Sequence, residues 1–309
     1  MTRFVAVTGA AGFIGQEVVR QLLKRGDYVY AVDRLDYAAD FDSLPRTSDG
    51  PHLMMRTQDV RTLGRLPDVD AVIHLAASTH VDNSLAEGEE FVANNVGSTA
   101  KLCELVRAKA QHGMPHFVHV STDEVYGPVW QGRVNEDAPL NPSSPYAASK
   151  AAAEHVVRAW GLTYKMPFTI LRPTNCFGLD QYPEKLVPKT IRNCTLGRAM
   201  TIHGDGTQKR QWLATDDLAR AILLVLDHRL EGTYNVGGTT EASVNDVVAA
   251  IYKHFNDIPQ PQLGFARPAC DLRYAVDDAK LRKEGWEPRV DLWDALPRIV
   301  EHDSLRFRF

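Results

Sequence analysis

The chain has 309 residues, 44% of them apolar and 24% charged, with a formal net charge of −4. That length accommodates one large domain or two lobes around a sizeable core. The mild acidity gives no electrostatic case for nucleic acid or an anionic membrane as partner, and the apolar run Ala221 to Leu226 is far too short to span a bilayer.

Met1 to Phe4 runs straight into a strand, so no signal peptide is expected. The four cysteines form no Cys-x-x-Cys pair, and His-Glu-x-x-His is absent, so no metal site is expected. Scattered thiols suit a cytoplasmic location. Arg3 to Thr8 reads as an apolar strand. The turn Gly9, Gly12, Phe13, Ile14, Gly15 then opens a helix with apolar Val18, Val19, Leu22 and Leu23. Its glycines let backbone N–H groups approach a pyrophosphate at the helix N-terminus. The first two glycines have one residue more between them than in G-x-G-x-x-G. Tyr28 to Val32 is a second strand, ending in Asp33. An acid about 20 residues past the glycines accepts hydrogen bonds from ribose hydroxyls and repels a 2′-phosphate, which favours NAD over NADP. Arg34 beside it pulls the other way, and a plain turn role for Asp33 stays open.

Leu53 to Thr57 leads to Asp59 and Val60, and Ala71 to Leu75 leads to Ala76 and Ala77, each pair at a strand end. His80 either touches a substrate or orients a loop. Glu89 to Lys109 is one long helix. His116 to Val120 alternates and reads as a strand. Ser121, Thr122, Asp123 and Glu124 follow at its carboxyl end, where open parallel sheets bind ligands. Two adjacent carboxylates there are odd as packing and make sense as a proton donor and a proton acceptor. Tyr146 and Lys150 share a face of an Ala-rich helix running to Tyr164. A Lys ammonium beside a phenol lowers its pKa from about 10, which predicts a base for a sugar or alcohol hydroxyl. Phe168 to Arg172 is a sixth strand. This alternation predicts an α/β fold with a doubly wound, mostly parallel Rossmann-type sheet over residues 1–173. Residues 174–309 then form mainly a smaller C-terminal substrate-binding lobe, with about 214–238 returning to the sheet and a cleft between the lobes.

The Tyr-x-x-x-Lys pair with Thr122 upstream, and the glycine spacing, resemble the extended short-chain dehydrogenase/reductase superfamily in its nucleotide-sugar branch. Ser121 to Gly127 (Ser-Thr-Asp-Glu-Val-Tyr-Gly) is similar to the hallmark of the dTDP-glucose 4,6-dehydratases; related 4-epimerases and decarboxylases usually lack the adjacent acid pair. The resemblance runs from Phe4 to about Trp286. It implies an NAD-dependent enzyme acting on a nucleotide sugar. It places Asp59 and Val60 at the adenine, Leu75, Ala76 and Ala77 along the ribose and pyrophosphate, and Asn95 near the nicotinamide ribose, with Tyr146 and Lys150 also touching the cofactor. Pro183 to Pro188 is similar to the family's Pro-Glu-Lys-Leu-Ile-Pro, so Glu184, Lys185 and Leu186 are expected at the sugar and diphosphate. Arg210 and Arg267 match diphosphate or base contacts, for which the planar guanidinium fork is suited. His80, Thr122, Asn175 and Asn245 complete the expected substrate set.

The implied mechanism has Tyr146 taking the 4-hydroxyl proton, helped by Thr122 and Lys150. Glu124 removes the C5 proton, Asp123 protonates the leaving 6-hydroxyl, and hydride moves from C4 to C6. The helices near 89–109 and 146–164 are apolar on wide faces and so need partners on more than one side; burial within a monomer would serve, and the resemblance implies that the pair forms a homodimer interface. Gln211, Ala269, Cys270 and Cys176 depart from the family pattern. A 4-epimerase, a decarboxylase and a non-catalytic NAD-binding regulator are the rival readings.

Overall fold

The computed structural model describes residues 2–40, 44, 52–266, 268 and 271–308. In chain order its strands and helices begin with β1 (Phe4–Thr8), α1 (Phe13–Arg25), β2 (Tyr28–Asp33), β3 (Leu53–Thr57), β4 (Ala71–His74), α2 (Val81–Ala86) and α3 (Gly88–Arg107). They continue with β5 (His116–Val120), α4 (Pro145–Tyr164), β6 (Phe168–Pro173), β7 (Asn175–Phe177), α5 (Leu186–Thr195), β8 (Thr201–His203) and β9 (Lys209–Ala214). The last elements are α6 (Thr215–His228), β10 (Gly232–Val236), β11 (Thr240–Ser243), α7 (Val244–Tyr252), β12 (Gln262–Gly264), α8 (Ala279–Lys283) and α9 (Leu292–Arg306).

Seven strands form one sheet in the order β10-β6-β5-β4-β1-β2-β3, every pair parallel. A parallel sheet is covered on both faces, so its strands are apolar along their length. On one face Val5, Val7 and Ile73 pack with Val18 and Leu22 of α1 and Leu218, Ile222 and Val225 of α6. On the other, Ala6, Val72, Phe117 and Ile170 pack with Leu102 and Val106 of α3 and Val157 of α4. The alternation in β5 marks no solvent face, because all five of its residues are buried. Its His119 lies against His74 of β4, with ring centroids 5.4 Å apart.

The chain switches direction across β1: β2 and β3 lie to one side, β4 to β6 to the other, and the carboxyl ends of β1 and β4 border the crevice where such sheets bind ligands. Residues 215–236 rejoin this sheet, α6 packing on α1 and β10 pairing with β6 from Gly232 against Thr169. The remaining segments build a three-stranded sheet β11-β9-β7 and a pair β12-β8. Phe177, Val187, Ile191, Trp212, Val247, Ile251, Leu296 and Ile299 form a second core beneath α5, α7 and α9. Helix α9 was not foreseen in the sequence; Pro297 lies inside it, and an interior proline ordinarily argues against a helix.

Candidate active site

A cleft of about 340 Å³ opens at the carboxyl ends of the sheet strands. Gly9, Gly12, Phe13, Ile14 and Gly15 line one end. Gly9 has φ +69°, and a Cβ there would stand 2.6 Å from the Ala76 amide nitrogen; one on Gly15 would stand 2.0 Å from the Gly9 carbonyl oxygen. Glycine is therefore required at both for the turn to lie this close to β4. Helix α1 starts without a side-chain cap and without an acid in its first turn. Its free amides fit a diphosphate, whose charge the helix dipole also favours.

Asp33 sits at the end of β2, accepting hydrogen bonds from the amides of Ala11 (2.9 Å) and Leu35 (2.8 Å). Burial raises its pKa, and those two amides oppose the rise. Arg34 is turned onto acids, with Nη2 2.9 Å from Asp36 Oδ2 and Nη1 3.8 Å from Asp59 Oδ2. Asp59, Val60, Leu75, Ala76 and Ala77 line the same end. Asp59 also caps a short 3₁₀ turn and pairs with Arg61 at 2.8 Å, which holds its carboxyl below the usual range.

The Ser144 hydroxyl accepts from the Ala147 amide and Pro145 fills the first position of α4, which fixes where that helix begins. Tyr146 and Lys150 then face the cleft one turn apart, opposite a 3₁₀ turn over Asp123–Tyr126. Thr122 donates to Asp123 Oδ1 at 3.3 Å and accepts from the Glu124 amide at 3.3 Å. Asp123 is 3% exposed, and its Oδ2 has no hydrogen-bond partner. Burial first, and the Glu124 charge second, push its pKa up to about 8, while Arg210 and Thr122 pull it down. Glu124, half-exposed, shares the cleft wall. One carboxyl is thus held protonated near neutral pH beside another that reaches the cleft surface, the division of labour an acid and a base require.

The expected lowering of the Tyr146 pKa by Lys150 is not what this structure shows. Burial, then the charge of Glu124, push the phenol up, and a hydrogen bond to Thr122 is the opposing influence. Lys150 instead donates to the Val120 carbonyl at 2.7 Å. Burial lowers Lys150 to about 8, against the Glu154 carboxylate that holds it up.

At the other end of the cleft, Asn175 presents a side-chain oxygen that is buried without a partner. Glu184 accepts from the Tyr37 hydroxyl at 3.0 Å, Lys185 donates to the Thr79 carbonyl at 3.0 Å, and Leu186 starts α5 without a side-chain cap. These contacts tie the 182–186 segment to the loops that follow β2 and β4.

The model of the NAD dependent epimerase/dehydratase family matches residues 5–237. The chain belongs to that family. NAD is accordingly its cofactor, and the uncapped glycine turn and Asp33 supply a fitting seat. Among curated relatives, the dTDP-glucose 4,6-dehydratase of Neisseria meningitidis serogroup B is 39% identical over 97% of this chain and 92% of its own. The solved dTDP-glucose 4,6-dehydratase of Streptomyces venezuelae, with NAD bound, superposes with a TM-score of 0.90 at 36% identity, over 96% of both chains. A UDP-glucuronic acid 4-epimerase from Bacillus cereus gives 0.92 at 27% identity, over 98% of this chain and 99% of that one. Shape alone therefore does not separate dehydratases from epimerases within the epimerase/dehydratase family.

Four expected ligands lie elsewhere in this family member. Asn95 is buried behind the cleft wall, its amide donating to Ser149 Oγ (2.9 Å) and the Ser78 carbonyl (3.1 Å) while accepting from the Ser78 amide (2.8 Å). Asn94 and Ser98, on the same helix, line the cleft instead. His80 precedes α2 without a side-chain capping bond and meets Asn83 Oδ1 at 3.0 Å, the loop-orienting alternative. Asn245 donates to the Asp205 carbonyl at 2.9 Å and borders a separate groove with Ile202 and Tyr252. Arg210 is buried with its guanidinium 4.4 Å from the Tyr274 ring centre; it bears on Asp123 electrostatically without lining the cleft. Arg267, Ala269 and Cys270 lie outside the described residues.

Cleft residues that sequence reasoning missed include Gln58, Gln181, Tyr182 and Trp212, whereas Ser121 lines the cleft as its place after β5 implied. Gln58 directly follows β3, so the rule that ligands sit at carboxyl ends of strands would have found it as well. Trp212 lies within β9 and carries no such signal.

Proposed function

We propose that the chain is a nucleotide-sugar 4,6-dehydratase, converting an NDP-hexose to an NDP-4-keto-6-deoxyhexose and water. The observation that carries this reading is the unequal pair Asp123 and Glu124 beside Tyr146. A 4-epimerase on the same scaffold has no use for a carboxylic acid kept protonated near neutral pH. The relatives' names make dTDP the first nucleotide to test.

NAD, when bound, supplies the hydride acceptor for C4 and the donor for C6, and brings a positive charge into the cleft. The residues of the chain move the protons. Tyr146 takes the proton of the 4-hydroxyl; Thr122 by its hydrogen bond favours the phenolate that this requires, and Lys150 adds a positive charge one helical turn away on the cleft wall. The 4-ketone acidifies C5–H, and Glu124 accepts that proton. Asp123, protonated near neutral pH, gives its proton to the departing 6-hydroxyl, which leaves as water. Asn175, Glu184, Lys185 and Leu186 hold the sugar and diphosphate, Arg267 adds a charge at the nucleotide, and Arg210 tunes Asp123.

The chain acts as a cytoplasmic homodimer through α3 and α4. In support, Val92 on α3 and Leu162 on α4 are exposed, with Ala93, Ala148 and Ala159 leaving room for close helix approach. Light scattering on the purified protein tests this, and a monomer at micromolar concentration overturns it. The activity itself is tested by incubation with dTDP-, UDP-, GDP- and CDP-glucose. A product lighter by one water that develops the alkaline chromophore of 4-keto sugars supports the reading. An isomer of unchanged mass makes the chain an epimerase.

A further inference from the structure

A buried charge network lies directly behind the catalytic groups. Glu154, on α4 one turn after Lys150, is 0% exposed, and Arg172 of β6 is 1% exposed. The two make a forked pair, with Arg172 Nε 3.0 Å from Glu154 Oε1 and Nη2 2.6 Å from Oε2. Arg172 Nη1 donates to the Tyr126 hydroxyl at 2.6 Å, and its guanidinium carbon lies 4.7 Å from the Tyr126 ring centre. Tyr126 in turn donates to Asn235 Oδ1 at 2.7 Å, and Asn235 donates to the carbonyls of Val134 and Asp277, both at 3.0 Å. None of Glu154, Arg172, Tyr126 and Asn235 lines the cleft.

Position makes this network more than packing. Tyr126 is the last residue of the 3₁₀ turn that begins at Asp123. A rigid Tyr126 therefore fixes where both carboxyls stand. A buried ion pair is weak evidence of net stability, since apolar side chains of similar volume often do as well. Its location against Lys150 asks for another account. Lys150, buried on α4, donates to the Val120 carbonyl and lies within electrostatic reach of His74 of β4, His119 of β5 and Glu154 one turn along its own helix. Burial keeps both histidines neutral near pH 7, pushing His74 down to about 3 and His119 well below its usual range. Glu154 is then the group of this set that favours a cationic Lys150 by charge.

We propose that Glu154 and Arg172 are positioning residues of the proton machinery. Glu154 maintains the charge of Lys150, and Arg172, held by Glu154, anchors through Tyr126 the turn that presents Asp123 and Glu124. The second half rests on the dehydratase reading; the first needs only oxidation at C4.

Two variants and a titration test it. Glu154→Gln alone leaves Arg172 buried and unpaired and can fail to fold, so the informative protein is Glu154→Gln/Arg172→Met, which removes both charges together. Labelled-lysine NMR of the substrate-free protein should show Lys150 titrating lower than in wild type by about one pH unit or more. The alkaline limb of single-turnover C4 oxidation should move down with it. A folded double variant with the wild-type Lys150 titration and pH profile overturns the role of Glu154. Tyr126→Phe should slow elimination by roughly tenfold to a hundredfold while C4 oxidation stays within about twofold, because the acid pair alone is displaced. Equal loss in both steps, or none in either, overturns the role of the anchor. If wild type oxidises C4 and never eliminates water, the dehydratase reading fails while the Lys150 titration still decides the first half.

Discussion

Asp123 buries an unpartnered carboxyl oxygen directly beside Glu124, whose side chain is half-exposed on the same cleft wall. The two occupy consecutive positions, so their difference comes from the 3₁₀ turn, which sends one side chain inward and leaves the other at the surface. If one acts as acid and the other as base for elimination, neither is needed to oxidise C4. Asp123→Asn and Glu124→Gln should then lose dehydration by about a hundredfold or more and still transfer hydride from C4 in a single turnover. Tyr146→Phe should lose both steps. Stopped-flow absorbance at the reduced nicotinamide band, run beside product analysis, separates them. Full dehydratase turnover in either carboxylate variant would show that the pair is misassigned.

The raised pKa of Asp123 makes a pH prediction with a definite sign. A carboxyl whose pKa is raised by folding contributes stability that is complete below the ordinary carboxylate range of about 3.9. That contribution is lost as pH rises through the folded value of about 8. Asp123→Asn cannot ionise, so its melting temperature relative to wild type should climb from about pH 4 to about pH 8 and level off above that. Elimination by wild type should fall as pH passes about 8, where Asp123 loses the proton it donates. A melting-temperature difference that is flat with pH would show that Asp123 titrates normally.

Arg34 decides a third expectation. Its guanidinium is committed to Asp36 and Asp59, and Asp33 stands beside it. A ribose 2′-phosphate would meet three carboxylates and an arginine already neutralised. Wild type should bind NAD at least roughly tenfold tighter than NADP, since like-charge juxtaposition is costly. Asp33→Asn/Asp36→Asn should narrow that gap by freeing Arg34 and removing repulsion. Titration calorimetry reads both, and equal affinities in wild type would mean that Arg34 has overridden Asp33.

The cofactor half and the acid pair were legible because their chemistry is written in spacing. Gly9 and Gly15 are demanded by backbone approach, and Asp123 and Glu124 by their place after a strand. The alternation in β5 was legible as a strand and misleading about its surroundings, since only the assembled layers show His119 to be enclosed. Asn95, His80, Arg210 and Asn245 fall near the expected places along the chain. Their side chains, however, turn to partners such as Ser149, Asn83, Tyr274 and the Asp205 carbonyl that no local pattern reveals. The Tyr146 phenol fails the simple helix-face argument for a related reason. The desolvation that raises it comes from the whole cleft, and Lys150, one turn away, is anchored on a carbonyl. Glu154 and Arg172 lie on separate elements, so nothing in either segment announces their pairing.

The route of the hydrogens gives the last prediction. In the proposed reaction the hydride removed from C4 returns to C6 of the same molecule, so no external reductant is consumed. The C5 proton goes to Glu124, which is half-exposed and can exchange with solvent before C5 is reprotonated. Substrate deuterated at C4 should therefore give product with deuterium in its new methyl group, and reaction in heavy water should place deuterium at C5. Mixing C4-deuterated substrate with unlabelled substrate of a different nucleotide base should leave the label on its own base, because the transfer is intramolecular. An epimerase would return the label to C4 of an isomer with an inverted hydroxyl. A decarboxylase would release a carboxyl group and form no methyl group, and a regulator would leave the sugar unchanged. Proton NMR and mass spectrometry of the reaction distinguish these outcomes. Label recovered at C4 would overturn the dehydratase assignment even with Asp123, Glu124, Tyr146 and Lys150 all lining the cleft.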